Sequence, residues 1–147
     1  MNKQIQHKLF YEHKPQIVWD YLTKPELMEQ WLMKTDFKPV VGHEFKFLTR
    51  PMPDFNFNGV IQCKVLELIP LKKLSYSWKG GGNDNEITLD STVIWTLREK
   101  DNGTELELVH DGFKEADVTM FGIMNQGWIG NMHKIDNLIS AIQTALK

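Results

Sequence analysis

Cysteine is nearly absent from this chain: its 147 residues include a single one, Cys63, so no disulfide can form within it. Cys63 lies in the apolar segment 61–65, a setting typical of a buried and unreactive thiol. A catalytic thiol needs a cationic or helix-terminal environment that lowers its pKa, and that segment offers only Lys64. We therefore predict a structural role for Cys63.

Long hydrophobic runs are also missing. No apolar stretch approaches the roughly 18 residues that a membrane-spanning helix requires. The first residues, Met1 to Lys8, are polar and lack the apolar segment of a secretion signal. The sequence therefore predicts a cytoplasmic protein that does not insert into membranes.

Neither sign of charge is in large excess. The chain has 17 Lys and Arg residues against 19 Asp and Glu residues, which gives a formal net charge of −2. The basic residues are scattered singly or in pairs such as Lys72 and Lys73, without the basic stripe that binds a phosphate backbone. Nucleic acid is therefore not a predicted partner.

Motifs for metal binding, nucleotide binding and nucleophilic catalysis are absent from the sequence. The run Gly80 to Gly82 precedes Asn, Asp and a predicted strand rather than a helix, unlike a phosphate-binding loop. There is no GxSxG motif. The five histidines form no HExxH motif and no Cys/His cluster with zinc spacing: His7, His13, His43, His110 and His133. We predict no metal, no cofactor and no assignable catalytic residue.

What the sequence does contain is a regular alternation of apolar and polar residues. In the first segment Ile5, Leu9 and Tyr11 share one parity, as in a half-buried strand. The same period of two returns in segments 44–48, 57–69, 74–79, 92–98 and 104–110, separated by turn residues. Six or seven antiparallel strands in one domain, residues 1–147, follow from this pattern and from the chain length. The segment Gly80 to Asn85 predicts a mobile hairpin tip.

Three helices are predicted. Pro15 and Pro25 each begin a short helix after the first strand, because proline fits the first helical turn. The third helix runs from about Val118 to Leu146, and at 1.5 Å per residue it is about 40 Å long. Its apolar residues recur at steps of three and four: Phe121, Met124, Trp128, Met132, Ile135, Ile139, Ile142 and Leu146. This element order predicts an α+β fold in which a curved antiparallel sheet wraps around the long helix.

Three glycines in the first half of that helix need an explanation, since each costs about 1 kcal/mol relative to alanine. Gly122, Gly127 and Gly130 are consistent with missing side chains that leave a cavity between helix and sheet. They are equally consistent with close backbone packing or with a kinked start of the helix. The pattern alone leaves both interpretations open.

The order and spacing of several short motifs resemble those of bacterial domains related to the activator of heat-shock-protein-90 ATPase. The resemblance covers nearly the whole chain. It begins with the Val-Trp, Tyr-Leu-Thr and Pro-Glu pattern in residues 15–26 and continues in residues 30–31, 41–45, 59–60, 67–70, 74–78, 91–93, 103–106, 110–113 and 127–128.

This resemblance implies the helix-grip fold of the START-like (SRPBCC) superfamily, which includes polyketide cyclases and lipid-transfer domains. Members share a hydrophobic cavity between the curved sheet and the last helix. We therefore expect a small hydrophobic ligand, with His110 and Tyr76 as polar anchors. The predicted ligand-binding residues are Trp31, Phe45, Phe47, Tyr76, Trp78, Trp95, His110, Met120, Phe121, Met124 and Trp128.

Three functions are compatible with these observations. The leading hypothesis is a non-enzymatic binder or carrier of a lipid-like or aromatic molecule. The second is an enzyme of cyclase or hydratase type in which His110 transfers a proton. The alternative role for His110, which lies on the apolar side of a strand, is that of a hydrogen-bonded core residue. The third is a module that binds a chaperone or another protein, the role of longer family members.

Overall fold

The computed structural model describes residues 3–82 and 86–145. The described residues form seven strands and three α-helices, and apart from β2 these follow one another in the order that the sequence predicts, with two short 3₁₀ turns at 53–55 and 115–117. The elements are β1 (Lys3–Tyr11), α1 (Pro15–Thr23), α2 (Pro25–Trp31), β2 (Lys34–Thr35), β3 (Glu44–Leu48), β4 (Val60–Ile69), β5 (Lys73–Gly81), β6 (Ile87–Lys100), β7 (Gly103–Phe113) and α3 (Val118–Ala145).

All seven strands form one antiparallel sheet in the order β1-β7-β6-β5-β4-β3-β2. The first strand therefore pairs with the last, and Ile5 lies opposite His110. The α+β helix-grip prediction is confirmed. The two-residue strand β2 has no counterpart among the predicted strands, because Lys34 and Thr35 are too few to show an alternation.

The hairpin between β6 and β7 is as predicted. Asp101 and Asn102 have φ values of 49° and 63°, the left-handed conformation that a two-residue hairpin turn requires. Asn and Asp tolerate this conformation better than most residues do. At the next hairpin, β5 reaches Gly81 and β6 begins at Ile87, and positions 83–85 of the predicted mobile tip lie outside the described residues.

Helix α3 lies against the sheet from Trp128 onward, and Trp128, Met132, Ile135 and Ile139 are buried. Their spacing of three and four places them on one face of the helix. Near the end of β1, the Tyr11 hydroxyl donates to the Met132 carbonyl oxygen over 2.6 Å. No helix among the described residues is long and apolar enough to cross a membrane.

Aromatic rings fill the centre of the space between sheet and helix. Trp95 contacts Trp31 on one side and Trp128 on the other, with ring centroids 5.9 and 5.6 Å apart. Trp78 contacts Trp128 at 5.3 Å and Phe47 at 5.3 Å. Among the described residues, this continuous packing fills the centre of the space between sheet and helix.

Candidate binding cavity

A cavity of about 750 Å³ lies beside the first half of α3. The sheet contributes Ile61, Trp78 and Leu89 to its wall, and the helix contributes Met120, Ile123 and Met124. The helical residues are three and four positions apart, so they share the face that continues into buried Trp128. Flexible methionine side chains adapt to differently shaped neighbours. The wall is therefore mainly apolar.

The cavity opens to solvent between the helix and the loop at residues 49–58. Ile123 is 45% exposed although it lines the cavity, and Asp54 and Glu86 on the opposite side are exposed as well. Polar groups are thus concentrated at the mouth, while the inner wall is apolar.

Hydrogen bonds join that loop to the β5–β6 hairpin. The Asn58 backbone N–H donates to the Gly81 carbonyl oxygen over 2.8 Å, and the Asn58 side chain donates to the Gly82 carbonyl oxygen over 3.0 Å. Asn56 has a left-handed backbone, φ 51°, and its side-chain N–H donates to Glu86 Oε2 over 3.0 Å. Since these bonds connect residues far apart in sequence, the loop and the hairpin form one rim.

The backbone conformation at the base of the loop requires a glycine, Gly59. Gly59 has φ +88°, and a Cβ there would lie 2.6 Å from the Thr49 carbonyl oxygen. Both observations exclude a larger residue without a shift of the backbone. The loop can therefore turn back sharply toward β4 and approach the cavity.

Three of the eleven predicted ligand-binding residues line this cavity: Trp78, Met120 and Met124. The other eight lie outside its lining and pack in or against the core: Trp31, Phe45, Phe47, Tyr76, Trp95, His110, Phe121 and Trp128. Alternation places a side chain on the inner face of the sheet, but it does not tell which end of that face remains open. The sequence alone therefore does not separate the residues that line the cavity from those that fill the core.

His110 is a buried core residue with both ring nitrogens occupied. The Trp128 indole N–H donates to His110 Nδ1 over 2.9 Å, so the ring proton is on Nε2 and is donated to Ser91 Oγ at 2.8 Å. Ser91 in turn donates to the Trp78 carbonyl oxygen over 2.8 Å. Burial lowers the pKa of His110 to about 3, so the ring is neutral at pH 7.

The expected anchoring roles of His110 and Tyr76 are therefore not supported. The Tyr76 hydroxyl accepts a hydrogen bond from the Trp95 indole N–H over 3.0 Å, and the residue is 1% exposed. Burial raises the pKa of this hydroxyl. Both polar groups are satisfied inside the protein, and neither residue lines the cavity.

The indole N–H of Trp78 differs from those of its buried neighbours. Trp31, Trp95 and Trp128 each donate to a protein acceptor. The hydrogen bonds among the described residues include none from the Trp78 indole, although this side chain is 3% exposed and lines the cavity. Trp78 is thus the polar group best placed to donate to a bound molecule.

The cavity interpretation of the helix glycines is wrong. Gly122, Gly127 and Gly130 are exposed, and a Cβ built on any of them meets no atom within 4 Å. They lie on the outer face of α3, so they neither leave room beside the sheet nor pack closely against another backbone. The space comes instead from the half-buried, unbranched Met120 and Met124.

Several lining residues were missed from the sequence because they come from connecting segments. Met33 follows α2, and Met52 and Phe57 belong to the loop, where they form an isolated bridge with each other. The two prolines of the loop indicated irregular backbone. No local signal shows that such a loop folds back over the sheet.

Cys63 is buried, as predicted, and burial raises the pKa of its thiol, with a smaller contribution from the charge of Asp36. Among the described residues no three His, Cys, Asp or Glu side chains are grouped as in a metal site.

Comparison with known proteins identifies the family. The model of the family "Activator of Hsp90 ATPase homolog 1-like protein" matches residues 12–140. The chain belongs to this family. The match to the Activator of Hsp90 ATPase homolog 1-like family includes all three helices up to residue 140 and every residue named above as lining the cavity.

Solved structures share the fold of this chain. The crystal structure of protein MLL2253 from Mesorhizobium loti is 34% identical, with a TM-score of 0.84, over 95% of this chain and 98% of that one. The solution structure of the Aha1 dimer from Colwellia psychrerythraea is 21% identical, with a TM-score of 0.72, over 92% and 94% of the two chains. No curated protein sequence matches the chain.

A third relative in the fold is DynU16, a protein in the dynemicin biosynthetic locus. It is 16% identical with a TM-score of 0.72, and the match covers 93% of this chain and 47% of that one. At that identity the likeness concerns the fold alone.

Proposed function

We propose that this protein binds a small, largely apolar molecule in the cavity between the first half of α3 and the ends of β4, β5 and β6. The observation that carries the proposal is the cavity itself, about 750 Å³ in volume and walled mainly by apolar side chains. Ligand sites are typically apolar clefts of about 300 to 1,000 Å³ with a few polar groups that orient the ligand.

The size of the cavity is sufficient for useful affinity. Removing about 250 Å² of apolar ligand surface from water contributes about 6 kcal/mol at 25 cal/mol per Å². The lost freedom of the ligand offsets part of that gain, so dissociation constants between about 0.1 mM and a few mM are expected. An acceptor atom near the Trp78 indole N–H would add orientation to this non-directional attraction.

Proton transfer by His110 is not part of the proposal. Its two ring nitrogens are engaged by Trp128 and Ser91, and it does not line the cavity. A general base must come within hydrogen-bond reach of the proton it removes. Chaperone binding, the other role associated with the family, stays a prediction of the sequence.

Ligand titration tests the proposal. We would titrate ¹⁵N-labelled protein with N-phenyl-1-naphthylamine, a neutral apolar fluorophore, and then with a panel of lipids, flavonoids and polyketides. The expected result is saturable binding, with amide shifts around Trp78, Met120, Met124 and the loop at 49–58. Binding by no compound, or shifts confined to the outer face of the sheet, would contradict the proposal.

Two tryptophan variants of the same helix provide the control. Met124→Trp places a larger side chain in the cavity and is expected to weaken probe binding by at least about tenfold, because the space it fills is the space the ligand needs. Gln126→Trp adds the same group at an exposed position and leaves the dissociation constant unchanged. Equal affinity of both variants would place the ligand elsewhere.

A further inference from the structure

The mouth of the cavity carries charge of a single sign. Asp54, Glu86 and Asp117 line it, and no Lys, Arg or His is among the lining residues that the structure describes. None of the three carboxylates forms an ion pair within residues 3–82 and 86–145. Their negative charge is therefore not neutralised by a neighbouring side chain.

Hydrogen bonds hold two of these carboxylates in place. Glu86 Oε2 accepts from the Asn56 side chain at 3.0 Å, and Asp117 Oδ2 accepts from the Lys114 backbone N–H at 2.8 Å. Each bond involves one oxygen of a carboxylate that can accept several hydrogen bonds. Both groups therefore keep the capacity to bind a cationic donor.

The start of α3 opposes this charge, but only in part. A helix N-terminus is equivalent to roughly half a positive elementary charge. Three carboxylates outweigh that contribution, and Asp117 lies directly before the first residue of the helix, where it neutralises much of it. The charged groups that line the mouth therefore sum to a net negative charge.

We infer that the ligand is a cationic amphiphile: an apolar body that occupies the inner cavity with a protonated amine, or a similar cationic group, at the acidic mouth. This inference rests on the proposed function and specifies its ligand class. The apolar wall and the side chain of Trp78, which is 3% exposed, lines the cavity and donates to no described group, indicate an occupant independently of the charge. The three carboxylates then favour a cation and disfavour an anion such as a fatty acid.

A matched series of eight-carbon compounds tests this inference. Octylamine, 1-octanol and octanoate share one apolar chain and differ in head-group charge at pH 7. In about 20 mM salt we expect octylammonium to bind about tenfold more tightly than octanoate, with octanol between them. In about 300 mM salt the differences shrink, because exposed charges are screened.

Charge-neutralising variants identify the groups responsible. In the double variant Asp54→Asn, Glu86→Gln the octylammonium dissociation constant is expected to rise about threefold to fivefold, while that of octanol stays constant. Both positions are exposed, and glutamine can still accept the Asn56 hydrogen bond. The control Glu29→Gln, Glu99→Gln removes the same charge at exposed positions outside the cavity and leaves all three affinities unchanged.

The outcomes separate this inference from the proposed function. If octanol binds in the cavity and octylammonium binds no more tightly, the cationic ligand class is wrong while apolar binding stands. Tighter binding of octanoate than of octylammonium also overturns it. If the cavity amides respond to none of the three compounds, the proposed function fails and the ligand class fails with it.

Discussion

At the scale of single residues, the most informative side chain is His110. Its position in the alternating pattern of β7 places it on the apolar side of the strand. The sequence leaves two interpretations open there, a proton-transfer group and a hydrogen-bonded core residue. The distances to Trp128 and Ser91 select the second interpretation. The ring connects α3, β6 and β7, and it stays neutral because a buried imidazolium would be poorly solvated.

This burial predicts a pH dependence of stability. The pKa of His110 is about 3 in the folded protein against an ordinary value of 6.5, so between these values the unfolded chain binds the proton and the folded chain does not. The stabilisation is complete above pH 6.5 and is lost as the pH falls toward 3. The loss amounts to about 1.4 kcal/mol per pH unit, which is about 3 kcal/mol between pH 6.5 and pH 4.5.

Urea unfolding at pH 7 and pH 4.5 measures this loss. His110→Gln, in which an amide replaces the ring without titrating, is expected to lose about 3 kcal/mol less than the unmodified protein over that interval. If the variant does not fold, the imidazole NMR signals of His110 in the unmodified protein provide the measurement. These signals should stay constant between pH 7 and pH 4.5. Titration of the His110 signals near pH 6.5 would contradict the buried, neutral ring.

At the scale of elements, two segments of α3 have different surroundings. Residues 118–124 border the cavity through half-buried methionines, and the helix from Trp128 onward packs against the sheet through Trp128, Met132, Ile135 and Ile139. The glycines interrupt neither contact, because they lie on the outer face. Their cost in helix stability is therefore not offset by any contact among the described residues.

Gly127→Ala should accordingly stabilise the protein. Its Cβ would meet open space, so the free energy of unfolding is expected to rise by about 0.5 to 1 kcal/mol. Gly112→Ala is the contrasting variant: φ is +114° there, and a Cβ would lie 2.9 Å from the Asp90 carbonyl oxygen. We expect it to destabilise by more than about 1 kcal/mol. Urea unfolding of both variants checks the signs, and destabilisation by Gly127→Ala would show that this face is not open.

At the scale of the whole molecule, the helix closes the sheet at one end and leaves it open at the other. Near the closed end, His13 Nε2 lies 2.7 Å from Asp136 Oδ1, and the Tyr11 hydroxyl donates to the Met132 carbonyl oxygen. Near the open end, the loop at 49–58 is joined to the β5–β6 hairpin rather than to α3. The cavity lies between these two units.

A ligand in that position must stabilise the entire fold. Octylamine at about one hundred times its dissociation constant is expected to raise the free energy of unfolding by about 2.7 kcal/mol, because it binds the folded state alone. Thermal unfolding followed by circular dichroism measures the effect. Met124→Trp should show little of this gain at the same octylamine concentration, whereas Gln126→Trp should show all of it. Equal stabilisation of the two variants would indicate binding outside the cavity.

The alternation of side chains and the step of three and four residues determined much of this structure in advance. They predicted the strands, the proline-initiated helices, the Asp101-Asn102 turn and the long final helix, because these patterns depend on neighbours along the chain. They also selected the correct side of the strands: the predicted aromatic residues that lie on strands are all buried, namely Phe45, Phe47, Tyr76, Trp78 and Trp95.

Only the tertiary structure decided where the interior stays empty. Trp78 and Trp95 have the same kind of sequence context, yet the first lines the cavity and the second is enclosed by other tryptophans. Loop residues such as Met52 and Phe57 reach the site through a fold-back that no periodicity records. A cavity is the space left when distant segments fail to meet, and that depends on three-dimensional packing rather than on the neighbours of any residue in the chain.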